Sequence, residues 1–133
     1  MHRGDIPPKE AYERLKADPR AVLVDVRTAA EWNYVGIPAV DQLLRVSWLV
    51  YPSLELNPGF VAAVEAAGVA KDAQVLCICR TNARSTHAAA ALTAAGFQNC
   101  YVVAEGFEGG RDGDGHRGTI AGWKAAGLPW VQG

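Results

Sequence analysis

A chain of 133 residues is the length of one domain, and it can bury roughly two-thirds of its unfolded surface without disulfide or metal staples. With 50% hydrophobic and 20% charged residues, it is not a disordered chain. A net charge of -1 carries no basic excess of the kind a nucleic-acid binder shows, so no nucleic-acid partner is expected.

In chain order, Pro7-Pro8 opens a short helix from Lys9 to Lys16, ended by Asp18-Pro19. Ala21 to Val26 is a continuous β-branched run that suits a buried parallel strand. A brief helix is expected over Ala29 to Tyr34, stopped by Gly36 and Pro38, then a strand over Leu44 to Leu49. Asn57-Pro58 precedes a helix from Gly59 to Ala67, with Gly68 at its end. Gln74 to Cys79 reads as a second buried strand, Ser85 to Ala95 as an alanine-rich helix, and Cys100 to Ala104 as a third strand. Glu105 to Gly118 holds six glycines among charged residues and reads as a surface loop. A last helix is expected near Ile120 to Ala126.

Strands alternating with helices imply an α/β fold, an open and mostly parallel sheet with helices on both faces, as one domain over 1–133. No apolar run approaches the ~18 residues of a membrane span, so no membrane partner is expected. The start, Met1 to Pro8, has no apolar core of a secretory signal. Three cysteines, Cys77, Cys79 and Cys100, cannot pair completely and read as reduced thiols of a cytoplasmic protein.

In open parallel sheets, sites form beyond the carboxyl ends of strands. Two such ends carry chemistry here: Asp25-Val26-Arg27, and Cys79-Arg80-Thr81-Asn82-Ala83-Arg84-Ser85. The second runs from a buried strand into a helix, so its backbone N–H groups and the helix amino end form an anion-holding nest around the cysteine. Two guanidiniums beside that nest favour a thiolate. A structural turn has no reason to concentrate two arginines over one thiol.

Two chemistries fit such a loop. Phosphate-ester hydrolysis, or alternatively arsenate reduction, uses Cys-x5-Arg, which wraps a tetrahedral anion. Sulfur transfer uses a loop one residue shorter, around a persulfide. Cys79 to Arg84 is Cys-x4-Arg, and the count favours sulfur transfer.

The sequence resembles the single-domain rhodaneses, the thiosulfate:cyanide sulfurtransferase-like family, over nearly its whole length. Asp25 to Trp32 is similar to the family's D-V-R-x-x-x-E-[FWY] stretch, and Cys79 to Ser85 to its C-R-[ST]-G-x-R-S loop. Gly122 to Pro129 is similar to its G-W-x-x-x-G-[LY]-P ending. The resemblance implies a rhodanese-like fold and a Cys79 persulfide with no metal or organic cofactor. It also implies a small anionic sulfur donor such as thiosulfate, and cyanide, a thiol or a protein as acceptor. Arg80, Thr81, Asn82, Ala83, Arg84 and Ser85 would hold the donor and persulfide, while Asp25 and Arg27 would brace the loop. A catalytically weak binding or redox-sensing module is the alternative of another class.

The chain departs from the family pattern in places. Asn82 replaces the usual loop glycine, Gly36-Ile37-Pro38-Ala39 lacks the usual histidine, and Gly106-Phe107 replaces a glycine pair. Cys77, Cys100 and His87 read as structural, and His116 as solvated. Asp112 to Gly115 is only weakly similar to a calcium loop, lacking its closing glutamate. Trp32 and Trp48 are candidates for the walls of the site.

Overall fold

Residues 3–50, 55–81, 83–110 and 121–132 are described in a computed structural model of the chain. Strands β1 (Gly4–Ile6), β2 (Val22–Asp25) and β4 (Leu43–Arg45) join β7 (Gln74–Ile78) and β8 (Asn99–Val103) in a five-stranded sheet. Its order is β1-β8-β7-β2-β4, and every pairing is parallel. The short strands β3 (Ile37–Pro38) and β9 (Trp130–Val131) pair antiparallel, as do β5 (Leu49–Val50) and β6 (Glu55–Leu56).

Helices cover both faces, because the apolar runs of a parallel sheet alternate sides with a period of two. Val75, Cys77 and Cys79 point to the face covered by α3 (Phe60–Ala66) and α4 (Ala83–Ala94), where they pack with Phe60, Val64, Ala88 and Leu92. Leu76 and Ile78 point to the opposite face, toward α1 (Pro8–Ala17) and α5 (Gly122–Ala125). There they meet Ala11, Leu15, Phe107 and Trp123. Burial on both faces places β7 at the centre, so the residue after Ile78 emerges at the middle of the sheet's carboxyl edge.

The expected elements fall within a residue or two of those observed, and α2 (Ala29–Tyr34) has the expected ends. Three expectations change. The single strand over Leu44 to Leu49 is divided: β4 ends at Arg45, and Leu49 belongs to the β5–β6 pair. Beyond β4 the Val46 and Trp48 N–H groups still donate to the Asp25 and Val26 carbonyls at 3.1 and 3.0 Å. Ser47 Oγ donates to the Arg27 carbonyl at 2.9 Å, and the Trp48 ring lies edge-on to Phe60 with centroids 5.3 Å apart. The strand β1 was not anticipated, since three residues are too few for a periodic signal. The last helix is shorter than expected, starting at Gly122. Ile120 and the expected loop from residue 111 to 118, including Asp112 to Gly115 and His116, lie outside the described residues. Among the described residues no helix is long and apolar enough to cross a membrane.

Candidate active site

Cys79 follows β7 directly, and α4 begins four residues later at Ala83. The cysteine is 1% exposed. Its Sγ accepts the Ser85 N–H at 3.4 Å, from the first turn of a twelve-residue helix, and lies 3.3 Å from Ser85 Oγ. Ser85 is buried, Arg84 is half-buried, and Arg80 and Ala83 are exposed. No partner for the Arg80 guanidinium is found among the described residues. Asn82 lies outside them.

The start of this loop is held from beneath by the turn after β8. Phe107 N–H donates to the Cys79 carbonyl at 2.8 Å, and Glu108 and Gly109 N–H groups donate to the Arg80 carbonyl at 3.0 and 3.1 Å. Such an approach requires a residue without Cβ at position 106. A Cβ on Gly106 would overlap the Thr81 carbonyl oxygen and come within 2.5 Å of the Cys79 carbonyl oxygen. Its φ of +67° is also one that glycine adopts without strain.

Asp25 and Arg27 sit at the neighbouring strand end, where Val26 N–H donates to the Ile78 carbonyl at 3.0 Å. The Arg27 guanidinium donates to both Asp25 carboxylate oxygens, at 2.9 and 2.7 Å, and to the Gly36 carbonyl at 2.7 Å. Both side chains are fully buried. The guanidinium carbon lies 4.4 Å from the centre of the Phe107 ring. The pair therefore supports the residue whose N–H holds Cys79, one step removed from the thiol. Breaking a buried pair of this kind strands a charge and costs about 3–5 kcal/mol.

The second charge pair was not singled out from sequence. Arg84 donates to both carboxylate oxygens of Glu31, at 2.6 and 2.9 Å. Glu31 also closes a capping box at the start of α2, accepting from Thr28 N–H while Thr28 Oγ1 accepts from Glu31 N–H. The Thr28-Ala29-Ala30-Glu31 spacing was a readable signal for the cap, but it could not announce the arginine. Burial alone would raise the Glu31 carboxyl, yet the hydrogen bonds and charge of Arg84 outweigh it and hold it below the ordinary value. Arg84 is correspondingly raised, first by its hydrogen bonds to Glu31.

Beside the loop lies an open hollow of about 390 Å³ lined by Trp48, Leu49, Leu56, Ala83, Arg84 and His87. Trp32 does not line it; with Ser47, Asn57 and Arg45 it borders a neighbouring hollow, and the Arg45 guanidinium lies 5.5 Å from the centre of its ring. Cys77 and Cys100 pack in the same core cluster as Cys79. Burial pushes both thiols up, Cys77 well above its ordinary value.

A family model described as the STR4 middle domain matches residues 4–133. The chain belongs to that family. It is 38% identical over 91% of its length to an uncharacterized protein, RP600, of Rickettsia prowazekii, and covers 91% of that protein. Among solved structures it is similar to Rv0390 from M. tuberculosis, with 42% identity, both chains covered completely and a TM-score of 0.91. The polysulfide-sulfur transferase homodimer of Wolinella succinogenes has a TM-score of 0.69 at 23% identity, covering 97% of this chain and 78% of that one. A rhodanese-related protein from Thermoplasma volcanium has a TM-score of 0.59 at 19% identity, covering 97% and 98%. The fold is rhodanese-like.

Two outcomes are expected from this geometry. Gly106→Ala combines a left-handed backbone with an overlap against the loop, and should lower stability by about 2–5 kcal/mol in urea unfolding. Gly110→Ala, where a Cβ meets nothing within 4 Å, should change it by less than about 0.5 kcal/mol. Glu31→Gln should destabilise the protein by about 1.5–3 kcal/mol near neutral pH, the worth of charged hydrogen bonds. Because the folded carboxyl is lowered, its contribution is full above the ordinary carboxylate range and is lost as pH falls through the lowered value. The gap between wild type and Glu31→Gln should close on acidification, and a gap independent of pH would exclude this role for the carboxylate.

Proposed function

We propose that the protein is a rhodanese-type sulfurtransferase that carries a sulfane sulfur on Cys79, from thiosulfate or a similar anionic donor to cyanide or a thiol. The observation that carries the reading is the position of Cys79. Its sulfur sits at the carboxyl edge of the central strand and accepts an N–H from the head of α4, in a Cys-x4-Arg loop. The name of the Wolinella succinogenes structure, a polysulfide-sulfur transferase, agrees with it. Three free cysteines suit a reducing compartment such as the cytoplasm.

In the first half-reaction the Cys79 thiolate attacks the outer sulfur of thiosulfate. The Cys79–sulfur bond forms, the sulfur–sulfur bond of the donor breaks, and sulfite leaves with the electron pair. In the second, cyanide attacks the outer sulfur of the persulfide, thiocyanate departs, and the thiolate returns. Charge balances in both steps without a cofactor. Exposed Arg80 meets the incoming anion, whereas Arg84, occupied by Glu31, holds the loop to α2.

Intact mass after incubation with thiosulfate tests the reading. Wild type should gain one sulfur, Cys79→Ser none, and Cys77→Ser and Cys100→Ser should still gain it. A Cys79→Ser protein that gains sulfur and forms thiocyanate at the wild-type rate would refute the reading. Arg80→Ala should lower kcat/KM for thiosulfate roughly 10- to 100-fold, the equivalent of one charge-assisted hydrogen bond, and affect an uncharged persulfide donor much less. Equal losses with both donors would assign Arg80 to the loop's architecture instead.

A further inference from the structure

The hollow beside Cys79 is poorly matched to an inorganic anion. Trp48, Leu49, Leu56 and Ala83 give it apolar walls. Among the described residues that line it, Arg84 is the one guanidinium, and its charge is balanced by a bidentate contact with Glu31 at 2.6 and 2.9 Å. The guanidinium without a described partner, Arg80, does not line it. Leu56 stands at the rim with 61% of its surface exposed, although large apolar side chains gain about 1.5–3 kcal/mol from full burial. Across from it, Trp48 is fixed by its edge-on contact with Phe60, so the wall is pre-formed rather than adaptable. Ala83 and Arg84 open α4 at the end of the Cys-x4-Arg segment, so the hollow borders the segment that holds Cys79.

We propose that this hollow binds the hydrocarbon body of an organic thiol acceptor, and that Leu56 sets its specificity. The inference rests on the sulfur-transfer reading and names the acceptor class of that site. An uncharged, apolar body is the occupant because a balanced ion pair offers a second charge little, while the walls reward removal of apolar surface from water. The acceptor's sulfur attacks the outer sulfur of the Cys79 persulfide. The bond from that sulfur to Cys79 breaks, an organic persulfide forms, and Cys79 leaves as thiolate. The sulfane sulfur moves with no net oxidation, and the proton of the thiol stays with the organic persulfide. Anionic donor and apolar acceptor thus approach the same sulfur over different surfaces, Arg80 for one and the hollow for the other.

The test uses the full chain, loaded with sulfur from thiosulfate, checked by intact mass and discharged with ethanethiol, butanethiol or hexanethiol. Straight-chain thiols differ little in thiol chemistry, so differences in rate report the hydrocarbon. The second-order rate of discharge should rise by about fourfold per added methylene while the chain remains inside the hollow. Leu56→Ala should flatten this dependence and Leu56→Met should keep it; both substitutions are at an exposed position and leave the core intact. If sulfur loads but the three thiols discharge it equally fast, the acceptor inference falls and sulfur transfer stands. If no sulfur loads on Cys79, sulfur transfer falls and the inference with it. A dimer in sedimentation that dissociates on Leu56→Ala would assign the hollow to a second copy of the chain and overturn the proposal.

Discussion

The site depends on one backbone contact: the turn after β8 lies directly against the first residues of the Cys79 loop. A strand end by itself is a poor place to hold a reactive thiol, because its backbone groups must find partners once the sheet stops. Here the carbonyls of Cys79 and Arg80 are taken by the N–H groups of Phe107, Glu108 and Gly109. With its carbonyls fixed below, the loop is free to turn N–H groups toward the sulfur, as Ser85 does. The approach is possible only because Gly106 has no side chain to place between the two backbones.

Charge pairs then lock this arrangement from two sides. Asp25 and Arg27 are wholly buried and reach the loop through the Phe107 ring, so their effect on Cys79 is mechanical rather than electrostatic contact. Glu31 and Arg84 do the same from α2, and their partial burial makes the pair stronger than an exposed one. Glu31 serves two elements at once, capping α2 and holding the head of α4. Both functions use one carboxylate, and Glu31→Gln keeps an oxygen for the cap while removing the charge that pairs with Arg84.

The same economy explains the division of the site's surface. An arginine committed to an ion pair is a weak attractor for a free anion, which in the proposed reaction leaves Arg80 for the donor. The apolar walls beside the loop come from the segment where the chain leaves the main sheet after β4 and returns as the β5–β6 pair. In the proposed reaction, acceptor preference is carried by a segment outside the main sheet, while the Cys79 loop is fixed by that sheet.

The sequence by itself determined the parallel α/β plan, because uninterrupted apolar runs such as Ala21 to Val24 and Val75 to Cys79 make sense only when buried on both faces. It also singled out Cys79 through Ser85, since this segment joins a strand to a helix within a few residues and its composition is local. What it could not contain were pairings set by distant parts of the chain. Glu31 and Arg84 are 53 positions apart, and Gly106 and Thr81 meet only when the ends of β8 and β7 lie side by side. Trp32 and Trp48 looked equivalent as candidate walls, but Trp32, on α2, borders one hollow and Trp48, after β4, lines another. Periodicity and spacing record which way a side chain faces along its own element; which neighbour it finds there depends on how the elements pack, and that only the tertiary structure decided.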